Sequence, residues 1–498
     1  VGLQDIATAA VAVACATVLA LVSSRRCLHW FIVPVAACGV ISGGYVVAWL
    51  RGKLDAFDPL AIVAVLMLHT TSVAPILHVA LDAQAPMFAH VPDWSTWFGW
   101  MGVLNLLGLI GFHAAQAGCF RIVKPIRTFR VIRPGAFGVL LSLALATSAV
   151  AAGVIYFKYS ALRQDVDIAP TTHLSWLLML GDPFPLLLLI GIIRILAGPR
   201  QHSILIVVAI LMAFLAAEFL LLGLRGSRSA MIAPLFVAGG LCHYLLRRIS
   251  IAYVLIAVLF LGIGGYYYGF YKRFGSAGFD AIRDPGYREV LSHRGGLTPL
   301  GALLGNLSRA ETQAFLLYRV SDKSTGYRLR LGRTYVASAL TLIPRAVWPE
   351  KPTDAFGKVR AGTELQFGPE AYRKDRFESS LVYGLAGEAI LNFGPLGVPP
   401  MYVLFGAALG WYRRKLLTLP PFDARYYLAP VLTLAAFSAA FGDSDNTMFS
   451  FLKNGLLLLI VVYFGSAAWR LLANRPVAQQ SMPRRPVGYE RVTAHTPA

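Results

Sequence analysis

The chain has 498 residues, 57% of them hydrophobic and 14% charged, with a net charge of +20 and a mean hydropathy of +0.61. A soluble domain of this size carries about one-quarter charged residues to wet its surface, so the composition excludes a water-soluble globular protein. The Lys and Arg excess lies between apolar runs and not along a soluble face, which argues against nucleic acid as its partner.

In chain order, apolar runs fall at 5–23, 29–49, 58–79, 97–118, 135–157, 176–197, 203–222, 229–246 and 250–270. They resume at 397–413, 427–445 and 450–472. Each is about long enough to cross a hydrocarbon layer of ~30 Å. Lipid offers no partner to backbone N–H and C=O groups, so such runs must be helical. The expectation is an all-α polytopic membrane protein with about twelve transmembrane helices. It has nine spans in 1–270, a large loop at 271–396, three further spans in 397–473, and a disordered basic tail at 474–498. The first run lacks a cleavage-site pattern and reads as a membrane helix. Cys15, Cys27, Cys38, Cys119 and Cys242 are scattered, with no CxxC and no histidine clustering, so neither a disulfide framework nor a metal site is expected.

Positive charge sets the orientation. The densest basic connection holds Arg121, Lys124, Arg127, Arg130 and Arg133, and reads as cytoplasmic. Alternation then puts Arg51, Lys53, Arg200, Arg247, Arg248 and the triplet Arg413–Lys415 on the same side. Arg25 and Arg26 fall on the other side, against the trend. The 271–396 loop also lies outside. Residues 271–379 hold 18 Lys/Arg against 11 Asp/Glu, a surplus that translocation disfavours. Loops this long are usually functional, and a basic one opposite the cytoplasm calls for an anionic ligand. Within it, 335–343 and 380–393 read as two short helices.

Arginine's planar fork pairs with phosphate oxygens and stays ionised. The candidate phosphate grips are therefore Arg309, which precedes Glu311 on a helical segment, and Arg345, with Lys351 close by. Arg225 and Arg228 sit where a span begins, and Arg273 where the loop begins. For any one of these arginines the bland alternative is snorkelling to lipid headgroups. Glu388 stands in an apolar, Gly-rich stretch, where an acid is expensive and often functional, although pairing with a loop arginine would explain it equally well. The chain has no Walker sequence, no HExxH and no GxSxG.

Several runs together carry a family resemblance: GSRSA at 226–230, LSR at 307–309, YRLRLGRTY at 327–335, IPRAVWPEKP at 343–352, Ser379-Ser380, and GEAILNFGPLG at 387–397. In this order the chain resembles the O-antigen, or oligosaccharide repeat-unit, polymerases of the Wzy type. The resemblance implies a GT-C-like membrane glycosyltransferase in the bacterial inner membrane, acting on its outer face. A hydroxyl of one undecaprenyl-pyrophosphate-linked repeat would attack the anomeric carbon of a growing chain on the same carrier, and undecaprenyl pyrophosphate would leave. It implies no cofactor or metal, with a chain-length regulator and a flippase as candidate partners beside the lipid bilayer. Arg309 and Arg345 would hold the pyrophosphate, supported by Arg225, Arg228, Arg273 and Lys351. Glu388 or Glu311 would be the base, and Ser379, Ser380 and Asn392 would bind sugar hydroxyls. The rival readings are a lipid-linked glycan ligase, a lipid-oligosaccharide flippase, and a transferase using a polyprenyl-phosphate monosaccharide.

Overall fold

The computed structural model describes residues 2–84, 88, 91–126, 128–158, 177, 179–198, 202–221, 228–275, 277–295, 299–306, 308–343, 347–368 and 381–470. Eighteen helices of seven or more residues organise these residues. The first nine are α1 (Leu3–Ser23), α2 (Ile32–Leu50), α3 (Pro59–Ala80, interrupted by a π-helical turn at His69–Val73), α4 (Trp94–Ile122), α5 (Pro134–Lys158), α6 (Phe184–Leu196), α7 (Ile204–Leu221), α8 (Arg228–Leu245) and α9 (Ile251–Phe274). Shorter helices follow: α10 (Ala277–Arg283), α11 (Pro285–Gly295), α12 (Ala310–Ser321), α13 (Arg333–Leu340), α14 (Lys358–Phe367) and α15 (Gly384–Phe393). Three more close the chain: α16 (Val398–Leu417), α17 (Ala429–Phe441) and α18 (Ser444–Phe464).

Among the described residues nine helices are long and apolar enough to cross a membrane: α1 to α7, α9 and α18, with α6 extending back to Met179. Helices α2, α3 and α6 are half or more buried in the assembly, whereas the other six keep most of their residues on the outside. On α9, Leu255, Val258, Leu259 and Phe260 are all exposed, as expected where the solvent is hydrocarbon. The other three expected spans are helical but differ in character. Pro234 interrupts α8, and α16 ends in Arg413, Arg414 and Lys415. Helix α17 has 13 residues, about 20 Å at 1.5 Å per residue, shorter than the hydrocarbon layer. The expected runs 427–445 and 450–472 are also misplaced. The helices end at Phe441 and Phe464, with a polar turn between them and a β-strand after the second. That turn, Gly442–Asp443, and the first helical residues Ser444–Asn446 make up GDSDN, whose polar groups need partners that lipid does not supply. The tail at 474–498 lies outside the described residues.

Among the described residues helices α4 and α16 pack along each other more extensively than any other pair. Gly406 and Gly410 on α16 lie against the backbone of Phe112 and Gln116, while Gly108 on α4 receives the Tyr402 ring. Small residues four apart let two backbones approach where no hydrophobic effect drives association. One end of this pair is basic. There Asp58 caps α3, accepting from Leu60 N at 2.9 Å, and takes both carboxylate oxygens to Arg413 Nε at 2.9 and 2.8 Å. At the same end β1 (Thr128–Ile132) pairs antiparallel with β2 (Ser466–Arg470), with Thr128 opposite Arg470. At the opposite end the short helices α12 to α15 pack among α4, α16, α17 and α18.

A Cβ at Gly406 would sit 2.6 Å from the Phe112 carbonyl oxygen, with no flexible side chain to yield. Gly406→Leu should therefore cost about 1–3 kcal/mol by overpacking. Gly264→Ala on α9, where nothing lies within 4 Å, should be neutral or slightly stabilising. Thermal unfolding of both variants in detergent checks the contrast.

Candidate active site

Helix α15 has ten residues, about 15 Å of rise, so it does not cross a bilayer. It starts at Gly384, whose φ is +70°, a left-handed value that suits glycine. A side chain there would also crowd Gln313 Nε2 at 3.1 Å. One turn further on, Glu388 turns inward and is 3% exposed. Its Oε1 accepts from Thr334 Oγ1 and from Ser444 Oγ, both at 2.6 Å, and Oε2 accepts from Ser444 N at 2.7 Å. Burial, then the nearby charge of Asp443, pushes the Glu388 carboxyl up to about 7. Desolvation of the charged form thus outweighs three donors that favour it.

Asp443 opens α18 and is enclosed on all sides. Its Oδ1 accepts from Tyr383 N at 2.8 Å and Gly384 N at 3.1 Å, and its Oδ2 meets Lys358 Nζ and Asn446 Nδ2. Burial works against the Lys358 charge, but Asp443 and Asp445 outweigh it and hold its pKa above the ordinary lysine value. Burial also pushes the Asp443 carboxyl up, against the pull of Lys358.

Arg309 is the N-cap of α12. Its Nε donates to Phe441 O at 3.3 Å, and its Nη1 to Ser308 O at 3.0 Å and Gly305 O at 3.4 Å. The guanidinium lies 3.9 Å above the Phe441 ring, and its Cγ stands against Gly384. Among the described residues Nη2 has no hydrogen-bond partner, which leaves one edge of the fork for an incoming anion. Burial pulls the group down to about 10, with Asp443 opposing. It is still a cation at neutral pH.

The structure therefore brings Arg309 and Glu388 to one end of the molecule, each within electrostatic reach of the Asp443 carboxylate. Asn392 is there too, but in another role than sugar binding. It is fully buried, donating from Nδ2 to Thr334 Oγ1 at 2.7 Å and Glu388 O at 2.9 Å, and accepting from Gly332 N at 3.0 Å. It fixes Thr334 against Glu388. Lys351 likewise acts locally, donating to Leu340 O at 3.0 Å and Ile343 O at 2.6 Å beyond the end of α13, where a cation offsets the helix dipole. Glu311 is buried in the first turn of α12. Arg273 is exposed in the last turn of α9, in a separate cluster with α10 and α11. Arg228 is the first residue of α8. Arg225, Arg345, Ser379 and Ser380 lie outside the described residues.

Asp443, Lys358, Thr334, Ser444 and Tyr335 are members that the sequence reading did not single out. The stacked Tyr335 and Phe393 rings, 6.3 Å apart, flank the cluster. The Tyr335 hydroxyl is buried with no partner among the described residues, as is Gln313 Oε1. The GDSDN run was the available signal, since four polar residues in succession are costly inside a span.

No family model, curated protein or solved structure matches the chain. Fold and composition define a multi-pass, membrane-embedded helical protein. Among the described residues no group of three or more His, Cys, Asp or Glu side chains could hold a metal ion.

The Glu388 carboxyl should titrate near neutrality. Difference infrared spectra should show a protonated-carboxyl band that disappears as pH rises through about 7. The band should be missing in Glu388→Gln. In Asp443→Asn, with the repelling charge gone, it should disappear at lower pH.

Proposed function

We propose that the protein is a polysaccharide polymerase that joins undecaprenyl-pyrophosphate-linked oligosaccharide repeats at the outer face of a bacterial inner membrane. The observation that carries this reading is the convergence of Arg309 and Glu388 in one polar cluster at the end of the helical assembly opposite Arg413–Lys415. By the positive-charge bias that end is extracytoplasmic. In the full topology α8, α16 and α17 join the nine long helices to make twelve membrane segments, and 271–396 forms the catalytic loop.

Glycosyl transfer from a pyrophosphate carrier needs two things. The acceptor hydroxyl must lose a proton as it attacks the anomeric carbon, and the departing pyrophosphate must have its growing negative charge balanced. Glu388, poised near neutral pH, suits the first role, since a general base works best with a pKa near the working pH. The open edge of the Arg309 guanidinium suits the second, because a fixed cation in a low-dielectric site stabilises developing charge with little reorganisation. Arg345, Arg225 and Arg228 are proposed to extend this anion grip. The Ser444 and Thr334 hydroxyls orient the carboxylate, and on accepting the proton Glu388 keeps both as partners.

Arg309→Ala and Glu388→Gln should each lower chain extension by roughly 10²–10³-fold while membrane abundance is unchanged. Arg309→Lys should also fail, because lysine lacks the fork. Activity should fall as pH drops through about 7, where Glu388 gains its proton. Gel profiles of surface and lipid-linked glycans in a strain expressing only the variant provide the readout. Single repeats on the final acceptor without a long ladder support the polymerase. Long chains stranded on the carrier would mean a ligase, and repeats trapped inside would mean a flippase.

A further inference from the structure

Two acids are enclosed in the polar cluster, Asp443 and Glu388, and they are not compensated alike. Asp443 has an ammonium beside it. Lys358 Nζ on α14 meets its Oδ2, while Tyr383 N and Gly384 N donate to its Oδ1. Glu388 has neutral donors, the Thr334 and Ser444 hydroxyls and the Ser444 N–H. Lys358 is itself enclosed, with its side chain 10% exposed, so its charge is little screened by water. Its other partner, Asp445 at 3.1 Å, is 35% exposed and open to solvent. Among the described residues the other titratable groups facing the pair are Arg309 from α12 and Tyr335 from α13. Burial keeps the Tyr335 hydroxyl protonated. Lys358 and Arg309 then balance ionised Asp443 and Asp445, and the cluster is neutral when Glu388 holds a proton.

An ionised acid in a dry site needs a counter-charge in contact with it, and one that lacks it takes up a proton. We propose that Lys358 is a positioning residue that determines which of the two enclosed acids carries the proton. With the ammonium seated, Asp443 stays ionised, and its negative charge holds the proton on Glu388. Without the ammonium the order reverses. Burial already pushes the Asp443 carboxyl up against the pull of Lys358, so an uncompensated Asp443 takes the proton and its charge disappears. Glu388 then loses the repulsion that retained its own proton. Removing this cation therefore lowers the pKa of Glu388, the reverse of what losing a direct attraction would do. The bearing on catalysis rests on the reading of Glu388 as the base of glycosyl transfer. A base must meet its substrate without a proton, and the Lys358–Asp443 contact sets the pH at which Glu388 does so.

The test is a pH series of difference infrared spectra on the full chain in detergent, prepared with and without carboxyl-¹³C aspartate. The label moves an aspartic-acid band and leaves a glutamic-acid band in place. In the wild-type protein the protonated-carboxyl band near neutrality should not move with the label. A band that moves, and that Asp443→Asn removes, would put the proton on Asp443 with Lys358 present and overturn the proposal, even if no Lys358 variant folds. In Lys358→Met a label-sensitive band should persist above neutrality, and the Glu388 band should titrate about one pH unit or more below its wild-type position. Lys358→Arg, which keeps the cation, should restore the wild-type spectra. A Glu388 band that stays or moves up in Lys358→Met, with no aspartic-acid band, would overturn the proposal. The spectra need no substrate, so they stand apart from the polymerase reading. That reading has its own readout: the acid limb of chain extension should move to lower pH in Lys358→Met together with the Glu388 band. A limb that stays while the bands exchange would leave Lys358 in its role and remove Glu388 as the base.

Discussion

The Asp443 carboxylate, enclosed at the turn between α17 and α18, accepts from four donors on three separate stretches of chain: Lys358, the backbone of Tyr383 and Gly384, and Asn446. An ionised carboxylate in such a place is tolerable only with charge and hydrogen bonds together, and removing one partner strands the other. Two elements of the site are held by this group directly. The Lys358 contact fixes α14. The two backbone donors fix the first turn of α15, and so the height at which Glu388 and Asn392 stand. The next residue, Ser444, then supplies two of the three hydrogen bonds to Glu388.

The same group explains the unusual state of Glu388. Three donors would ordinarily hold a carboxylate well below its usual range. Glu388 instead lies near neutrality because it is buried and a second negative charge stands close by. An acid–base group and its tuning charge are thus held by one short turn. The two ends of the molecule differ in this respect. The basic end is tied by the Asp58–Arg413 fork and the β1–β2 pair. The site end gathers four short helices around one carboxylate. Helix α16 links the two ends, with its glycines seated on α4.

Much of this was legible in the sequence. An acid in an otherwise apolar, Gly-rich segment singled out Glu388, and it is the residue on which the cluster converges. The order of apolar runs located the long helices. Asp443 and Lys358 were not legible because their meaning is a contact across 85 positions, and neither segment carries a local pattern that predicts it. Asp443 was also concealed inside a run read as a single span, where hydropathy averaged over 427–445 outweighed the three polar residues at its end. The burial of Asn392 was not legible either. A polar side chain one helical turn after Glu388 was assigned to ligand, whereas burial commits all its hydrogen bonds to Thr334, Gly332 and the Glu388 carbonyl.

That commitment has a consequence for any chemistry at Glu388. With Asn392 holding Thr334 and α18 holding Ser444, the carboxylate cannot rotate away without taking their acceptor from the Thr334 and Ser444 hydroxyls and the Ser444 N–H. Each unpaired group would cost about 1–3 kcal/mol. The carboxylate is therefore held in one orientation whether protonated or not. A proton arriving there meets a group that needs little rearrangement to receive it, the condition under which electrostatic preorganisation lowers a barrier. Burial and the Asp443 charge set the pKa, and the fixed donors set the direction. Both follow from Glu388 being enclosed by α13, α15 and α18, three elements brought together by the Asp443 turn.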